Sequence, residues 1–226
     1  MSLRVENLSH TYPGAEARRV LSIDGWWLDD GDQVLLRGVS GSGKTTLFNI
    51  LSGLLRPTTG AVYYGDQPLY ALAEAARDRF RARHVGYVFQ NHNLIGSLTA
   101  LQNVMMPMAF ARDFAPSEQR RRAVELLHNV ELGDYLNALP RHMSAGQRLR
   151  VAVARALANS PRVLLADEPT AALDAHAGAV IMELLQSTCT ASRAILIVAS
   201  HDPALVSRFS RRVDLQAGEL HEAQLA

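Results

Sequence analysis

The sequence predicts an α/β fold with an antiparallel β flank near its start and an α-helical insertion between its central strands. Three observations predict it. Short, almost wholly apolar runs alternate with longer helix-like segments, as in a parallel sheet covered on both faces. The opening part carries turn residues and strand patterning instead. Between Asn91 and Ala158 the strand-like runs stop and helical periodicity takes over.

Segments 5–12, 20–28 and 60–69 read as the strands of the flank. Trp26 and Trp27 are adjacent, so they face opposite sides of their strand. Segments 33–37, 85–89, 162–166 and 194–199 read as core strands, the last two apolar nearly throughout, as burial on both faces requires. Helices are expected at 45–54, 117–127, 147–158 and 175–186. The expected organisation is one domain over 1–226: 1–90 and 158–226 make the α/β core with its flank, and 91–157 a helical subdomain. Arg120, Arg121 and Arg122 read as a solvated helix face.

A chain of 226 residues can bury a substantial core. Its formal net charge of +1 does not suggest a polyanion-binding surface, so nucleic acid is not expected as the main partner. No apolar run approaches the ~20 residues that cross a bilayer, and the first residues lack the apolar stretch of a secretory signal. A lone cysteine, Cys189, cannot close an intrachain disulfide, which suits a reducing cytosol.

The strongest local signal is Gly38-Val39-Ser40-Gly41-Ser42-Gly43-Lys44-Thr45, which satisfies G-x-x-x-x-G-K-[ST]. Glycines let the backbone fold so that successive N–H groups meet phosphate oxygens. Lys44 is placed to reach the β- and γ-phosphates, Thr45 to hold Mg²⁺, and the following helix aims its positive end at the same anions. A chance Gly/Ser turn is the competing reading, and the strand before and helix after argue against it. The expected core is a P-loop (RecA-like) nucleoside triphosphatase fold, and the loop alone leaves the enzyme class open, since kinases and GTPases share it.

The second signal is Val163-Leu164-Leu165-Ala166-Asp167-Glu168. A buried strand that delivers two carboxylates needs partners for them. Mg²⁺ suits Asp167, and strand alternation should turn Glu168 another way, toward an attacking water. Taken alone, such a pair is usually a helix cap or surface turn. Met143-Ser144-Ala145-Gly146-Gln147 likewise reads, by itself, as an N-capped helix with Ser144 as cap.

Together these stretches resemble the nucleotide-binding domain of ABC transporters. In that resemblance Ser144, Ala145, Gly146 and Gln147 match the signature that meets the ATP of a second copy. Gln90 matches the glutamine that senses metal, and His201 the switch histidine at the γ-phosphate. Ala172-Leu173-Asp174 matches the D-loop, and Tyr12 the aromatic stacked on adenine. The motifs keep the family's order from Tyr12 to His201. Finer features resemble the LolD and MacB type of ATPase: His10-Thr11-Tyr12-Pro13-Gly14, His84-Val85-Gly86-Tyr87-Val88-Phe89-Gln90, Asn93-Leu94-Ile95 with Leu98-Thr99-Ala100, and Leu165-Ala166-Asp167-Glu168-Pro169-Thr170. Departures are Met143 and Ala145 in the signature, Ala171 and Ala172 where Gly-Asn is frequent, and Ser200 where threonine commonly precedes the histidine.

The resemblance implies an Mg-dependent ATPase powering a separate integral membrane permease, in export or extraction from the membrane. It places the chain on the cytoplasmic face, attached through the permease. Two copies would pack head to tail around two ATPs, each held by Ser40, Gly41, Ser42, Gly43, Lys44, Thr45 and Thr46 of one copy, with Tyr12, and by the signature of the other. Glu168, His201 and Gln90 would be catalytic, Thr45, Gln90 and Asp167 would hold the metal, and Asp174 would belong to the nucleotide site. Leu94, Ile95 and Val104-Met105-Met106-Pro107-Met108 would offer the permease an apolar surface or fill their own core. The alternatives are an ATP-driven regulatory module of a non-transporting, cell-division type of complex, a soluble ATPase acting on DNA or ribosomes, and, most weakly, a small-molecule kinase.

Overall fold

The structure, a computed structural model, describes residues 1–14, 18–171 and 173–222. β1 (Leu3–Tyr12) pairs antiparallel with β2 (Arg18–Leu28) and with β4 (Thr59–Tyr64), which in turn pairs with β5 (Gln67–Pro68). The second sheet contains β3 (Gln33–Arg37), β6 (Val85–Val88), β7 (Val163–Asp167), β8 (Ile195–Ala199), β9 (Arg211–Gln216) and β10 (Glu219–Glu222). Its order is β10-β9-β3-β8-β7-β6, parallel except for the β9–β10 hairpin.

Alternation along the central strands divides the interior in two. Val163, Leu165, Ile195 and Ile197 point into a core shared with the antiparallel flank, which includes Leu3, Val5, Trp26 and Phe48. Leu164, Ala166, Leu196 and Val198 point the other way, into a core shared with the helices. Burying each such Val, Leu or Ile stabilises the fold by about 1.5–3 kcal/mol, which is why both strands are apolar at every interior position. Trp26 is buried and Trp27 exposed, on opposite faces of β2.

The helices are α1 (Lys44–Leu51), α2 (Glu74–His84), α3 (Ala100–Ala111), α4 (Pro116–Asn129), α5 (Ala145–Leu157) and α6 (Ala175–Ser192). Between β6 and β7 lie α3, α4 and α5, short 3₁₀ turns and no strand. One expectation needs correction. Arg122 is not part of a solvated face: its guanidinium packs over the Phe114 ring and donates to the Ala158 carbonyl and the Ser160 hydroxyl. Of the stretch 104–108, for which a docking surface and the subdomain's own core are the alternatives, Val104 and Met108 are fully buried and Met105, Met106 and Pro107 are partly exposed.

Strand register does the positioning. Leu36 and Asp167 both pair with Ala199, and Val88 pairs with Ala166. The carboxyl ends of β3, β6, β7 and β8 therefore finish level, and the loops that follow them open on one side, where ligands of α/β sheets bind.

Candidate functional site

A cleft of about 530 Å³ lies at those strand ends. Gly38, Val39, Ser40, Gly41, Gly43, Lys44, Thr45, Thr46, Gln90, Asp167, Glu168 and His201 line it, and so does Val20 from the antiparallel flank. Gly41 and Gly43 have φ of 78° and 109°, the left-handed conformation that lets a loop wrap its N–H groups around an anion. Gly43 is also the N-cap of α1 and makes no side-chain cap bond, so the helix start faces the cleft through its backbone. Room is tight behind it: a Cβ on Gly43 would stand 3.0 Å from Leu21 and 3.2 Å from Val20. Lys44 Nζ donates to the carbonyls of Gly38 at 2.6 Å and Val39 at 3.2 Å, which holds the ammonium over the loop.

Asp167 ends β7 with 3% of its surface exposed. Its Oδ2 accepts a hydrogen bond from the Thr45 hydroxyl at 2.8 Å. Burial pushes its carboxyl above the ordinary range; the Thr45 hydroxyl and Lys44 oppose the rise, and neighbouring Glu168 adds to it. A buried carboxylate whose hydrogen bond comes from a neutral hydroxyl still lacks a full charge partner. Together with the Gln90 amide in the same cleft, the oxygen donors suit a hard divalent cation such as Mg²⁺. Among the described residues there is no cluster of three or more His, Cys, Asp or Glu able to cage a metal, and Mg²⁺ typically takes one or two carboxylates and completes its shell with water and phosphate.

Glu168 corrects the sequence reading of its direction. β7 ends at Asp167, and Glu168 adopts φ 51°, so a left-handed turn, not strand alternation, aims its side chain. Its N–H donates to the Ala199 carbonyl at 2.8 Å, which locks the turn to β8. The carboxylate is then held at both oxygens. Oε1 lies 2.7 Å from His201 Nδ1, and Oε2 accepts from the Ser200 hydroxyl at 3.0 Å. Ser200 Oγ also accepts the Asp202 N–H at 3.1 Å. Glu168 is largely shielded while the His201 side chain is 76% exposed, so the histidine closes the site from outside.

Other expected site residues lie apart from the cleft lining. The Ser42 hydroxyl turns back beneath the loop, where a Cβ on Gly38 would stand 2.6 Å from it. Tyr12 is at the edge, its hydroxyl 3.3 Å from Thr46 Oγ1 and its ring edge-on to His10. Ser144, Ala145, Gly146 and Gln147 form the start of α5 outside the cleft. There Ser144 Oγ accepts the Gln147 N–H and Gln147 Oε1 accepts the Ser144 N–H, a reciprocal capping box. Gly146 sits against Leu173, whose Cδ2 would be 3.0 Å from an added Cβ. Asp174 caps α6 through the Ala177 N–H, a bond that holds its carboxyl below the usual range. Ala172 lies outside the described residues.

Sequence reasoning missed Val20, which lines the cleft, and Ser200, which is buried behind it and holds Glu168. Ser200 stood out only as a departure from threonine. Val20 arrives through the β1–β2 pairing, which leaves no local pattern.

The chain matches the protein family described as ABC transporter over residues 24–171. It is 42% identical over 222 residues to the lipoprotein-releasing system ATP-binding protein LolD of Pseudomonas syringae pv. tomato, covering 98% of this chain and 97% of that protein. The same-named protein of Pseudomonas fluorescens is 42% identical over 219 residues, covering 96% of each. Among solved structures, the ATP-binding cassette MJ0796, determined as a dimer in a post-hydrolysis state with ADP and Pi, superposes with a TM-score of 0.93 at 37% identity over 99% of both chains. An ATP-binding subunit of an ABC transporter superposes with a TM-score of 0.85 at 25% identity, covering 100% of this chain and 90% of that one.

Proposed function

Since this chain belongs to the ABC transporter family, we propose that it binds and hydrolyses ATP to power a separate membrane permease. One observation carries the reading: Lys44, Asp167, Glu168 and His201 converge on a single cleft while the start of α5, at Ser144, stays exposed outside it. A phosphate cradle, a metal-ready carboxylate and a doubly held base make a hydrolytic site, and the exposed helix start supplies anion-binding N–H groups with no anion of their own.

The loop 38–46 grips the triphosphate through backbone N–H groups and Lys44, and Tyr12 borders the base at the rim. Glu168, fixed by Ser200 and His201, orients a water and takes its proton as it attacks the γ-phosphorus. His201 meets the charge that develops on the transferred group. Gln90 stands at the cleft from the β6 side and couples it to the helical subdomain 91–157. Mg²⁺, for which Thr45, Asp167 and Gln90 are the fitting ligands, supplies charge neutralisation at the phosphate oxygens when bound.

A second copy, packed head to tail, brings its own Ser144, Gly146 and Gln147 to the same triphosphate. ATP then bridges two protomers, and loss of the γ-phosphate releases them. Among the described residues no helix is long and apolar enough to cross a membrane, so in this reading membrane attachment is borrowed. The permease docks at the groove beside the Gln90 loop, where Leu54, Phe89, Met106 and exposed Phe110 meet. The names of the 42% identical relatives favour extraction of lipid-modified proteins from the membrane as the work done.

Glu168→Gln keeps two polar atoms in place but removes the base. It should bind ATP normally, lose turnover by roughly 10²- to 10⁴-fold and accumulate as a dimer under saturating ATP in size-exclusion chromatography. Wild-type hydrolysis, or a monomer that stays monomeric with ATP bound, would refute the split-site reading.

A further inference from the structure

The far end of α5 is fixed to the central sheet. Gly86 of β6 faces the Ala156 carbonyl so closely that a Cβ would stand 2.4 Å from it. One residue before that contact, Arg155 is 6% exposed. Its Nη1 and Nη2 donate to the carbonyls of Asn93 and His92, both at 2.6 Å. Those two residues are consecutive, and both adopt left-handed backbone, φ 48° and 60°. Asn and His enter that conformation more readily than other nonglycine residues, but two in succession still call for support from their surroundings. The guanidinium also faces the Phe89 ring, 5.9 Å from its centroid.

A buried cation costs more than an apolar side chain of the same size unless its donors are well matched. Here the matching groups are backbone carbonyls of a loop. Carbonyl partners suit a geometric role, because a planar fork presents two parallel N–H groups in a fixed spacing. Burial brings the Arg155 group down to about 10, still cationic at neutral pH.

We propose that Arg155 is the positioning residue of the Gln90 loop: it clamps the left-handed His92–Asn93 turn and so fixes where Gln90 stands in the cleft. The clamp belongs to α5, which is capped by Ser144 and spans roughly 20 Å. The same rigid helix thereby carries the contact for the partner's triphosphate at one end and the tether of this copy's Gln90 at the other. The proposal rests on the reading of Gln90 as part of the hydrolytic site.

The test uses the full chain and the variants Arg155→Gln, Arg155→Lys, Gln90→Ala and the double variant Arg155→Gln/Gln90→Ala. Backbone hydrogen exchange of residues 89–96 is measured with kcat and nucleotide affinity. Arg155→Gln should speed exchange in that segment, lower kcat by roughly tenfold or more and leave nucleotide affinity within about twofold. Added to Gln90→Ala it should cost little more, because both changes remove one function. Arg155→Lys keeps the charge but not the fork, so it should fall between, and it serves if the glutamine variant does not fold. Unchanged exchange in 89–96, or losses in kcat that multiply in the double variant, overturns the clamp. Faster exchange with a Gln90→Ala enzyme of normal turnover upholds the clamp and removes Gln90 from the mechanism instead.

Discussion

Ser200→Ala removes one hydroxyl and isolates the question of how Glu168 is held. The Ser200 hydroxyl donates to Glu168 Oε2 at 3.0 Å, and a hydrogen bond to a charged group contributes about 1.5–3 kcal/mol. If that bond is needed in full during the attack, kcat falls by roughly 10- to 100-fold, at about 1.4 kcal/mol per decade. The other carboxylate oxygen keeps its 2.7 Å contact with His201, so the structure favours the lower end. The same change strips the Asp202 N–H of its acceptor, for about 1 kcal/mol and a fall in Tm of roughly 2–4 °C in a chain of this size. Ser200→Thr restores the hydroxyl and should recover most of kcat. Steady-state hydrolysis with an independent ATP titration separates turnover from binding. A Ser200→Ala enzyme with normal kcat would show that His201 alone orients the base, and one that loses affinity and turnover together would show that Ser200 supports the nucleotide site as a whole.

Two further substitutions test other parts of the site, and a labelling experiment tests the helical core. Asp167 has a folded pKa above its unfolded one, so between the two values the native state holds the extra proton. Stability therefore rises as pH falls through that window and is lowest above it, where the folded chain must carry the buried charge. Asp167→Asn should accordingly raise the Tm of the nucleotide-free protein at neutral pH while abolishing turnover; a lower Tm by calorimetry would contradict the burial argument. Ser144→Ala should leave ATP affinity of the monomer unchanged, cost about 1 kcal/mol of stability through the lost cap and weaken ATP-driven dimerisation, read by light scattering. Cys189 is 1% exposed and burial pushes its thiol up to about 12. It should resist a thiol reagent at pH 8 until the chain unfolds, and rapid labelling of native protein would show that the helical core opens there.

Local chemistry was readable from the sequence wherever the motif and the strand that presents it are contiguous. The loop 38–45 follows β3 directly, and the Asp167–Glu168 pair follows β7, so their placement in one cleft needed only the parallel register. Less was readable where neighbours decide. α2 is too polar to show an apolar stripe and has no residue fully buried. α3 contains Pro107, which hides its periodicity, although Thr99 and Gln102 form a capping box at its start. The β9–β10 hairpin was missed because β9 is held by β3, distant in sequence. Glu168 was misdirected because its left-handed φ is stabilised from β8, through the Ala199 carbonyl.

The capping box at Ser144 explains why the signature motif is inconclusive in one copy. Ser144 Oγ and Gln147 Oε1 are engaged with each other's backbone N–H groups, so within this chain the signature is a satisfied helix start. A phosphate arriving from outside must compete for the Gln147 N–H with the Ser144 hydroxyl, a cap worth about 0.5–2 kcal/mol. In the proposed head-to-tail dimer a dianionic γ-phosphate should win that exchange, because it would bring charge to several N–H groups at the positive end of α5, whereas ADP brings no γ-phosphate. On the split-site proposal the Ser144 hydroxyl would leave its cap to meet that phosphate itself, which is why Ser144→Ala is expected to weaken the dimer.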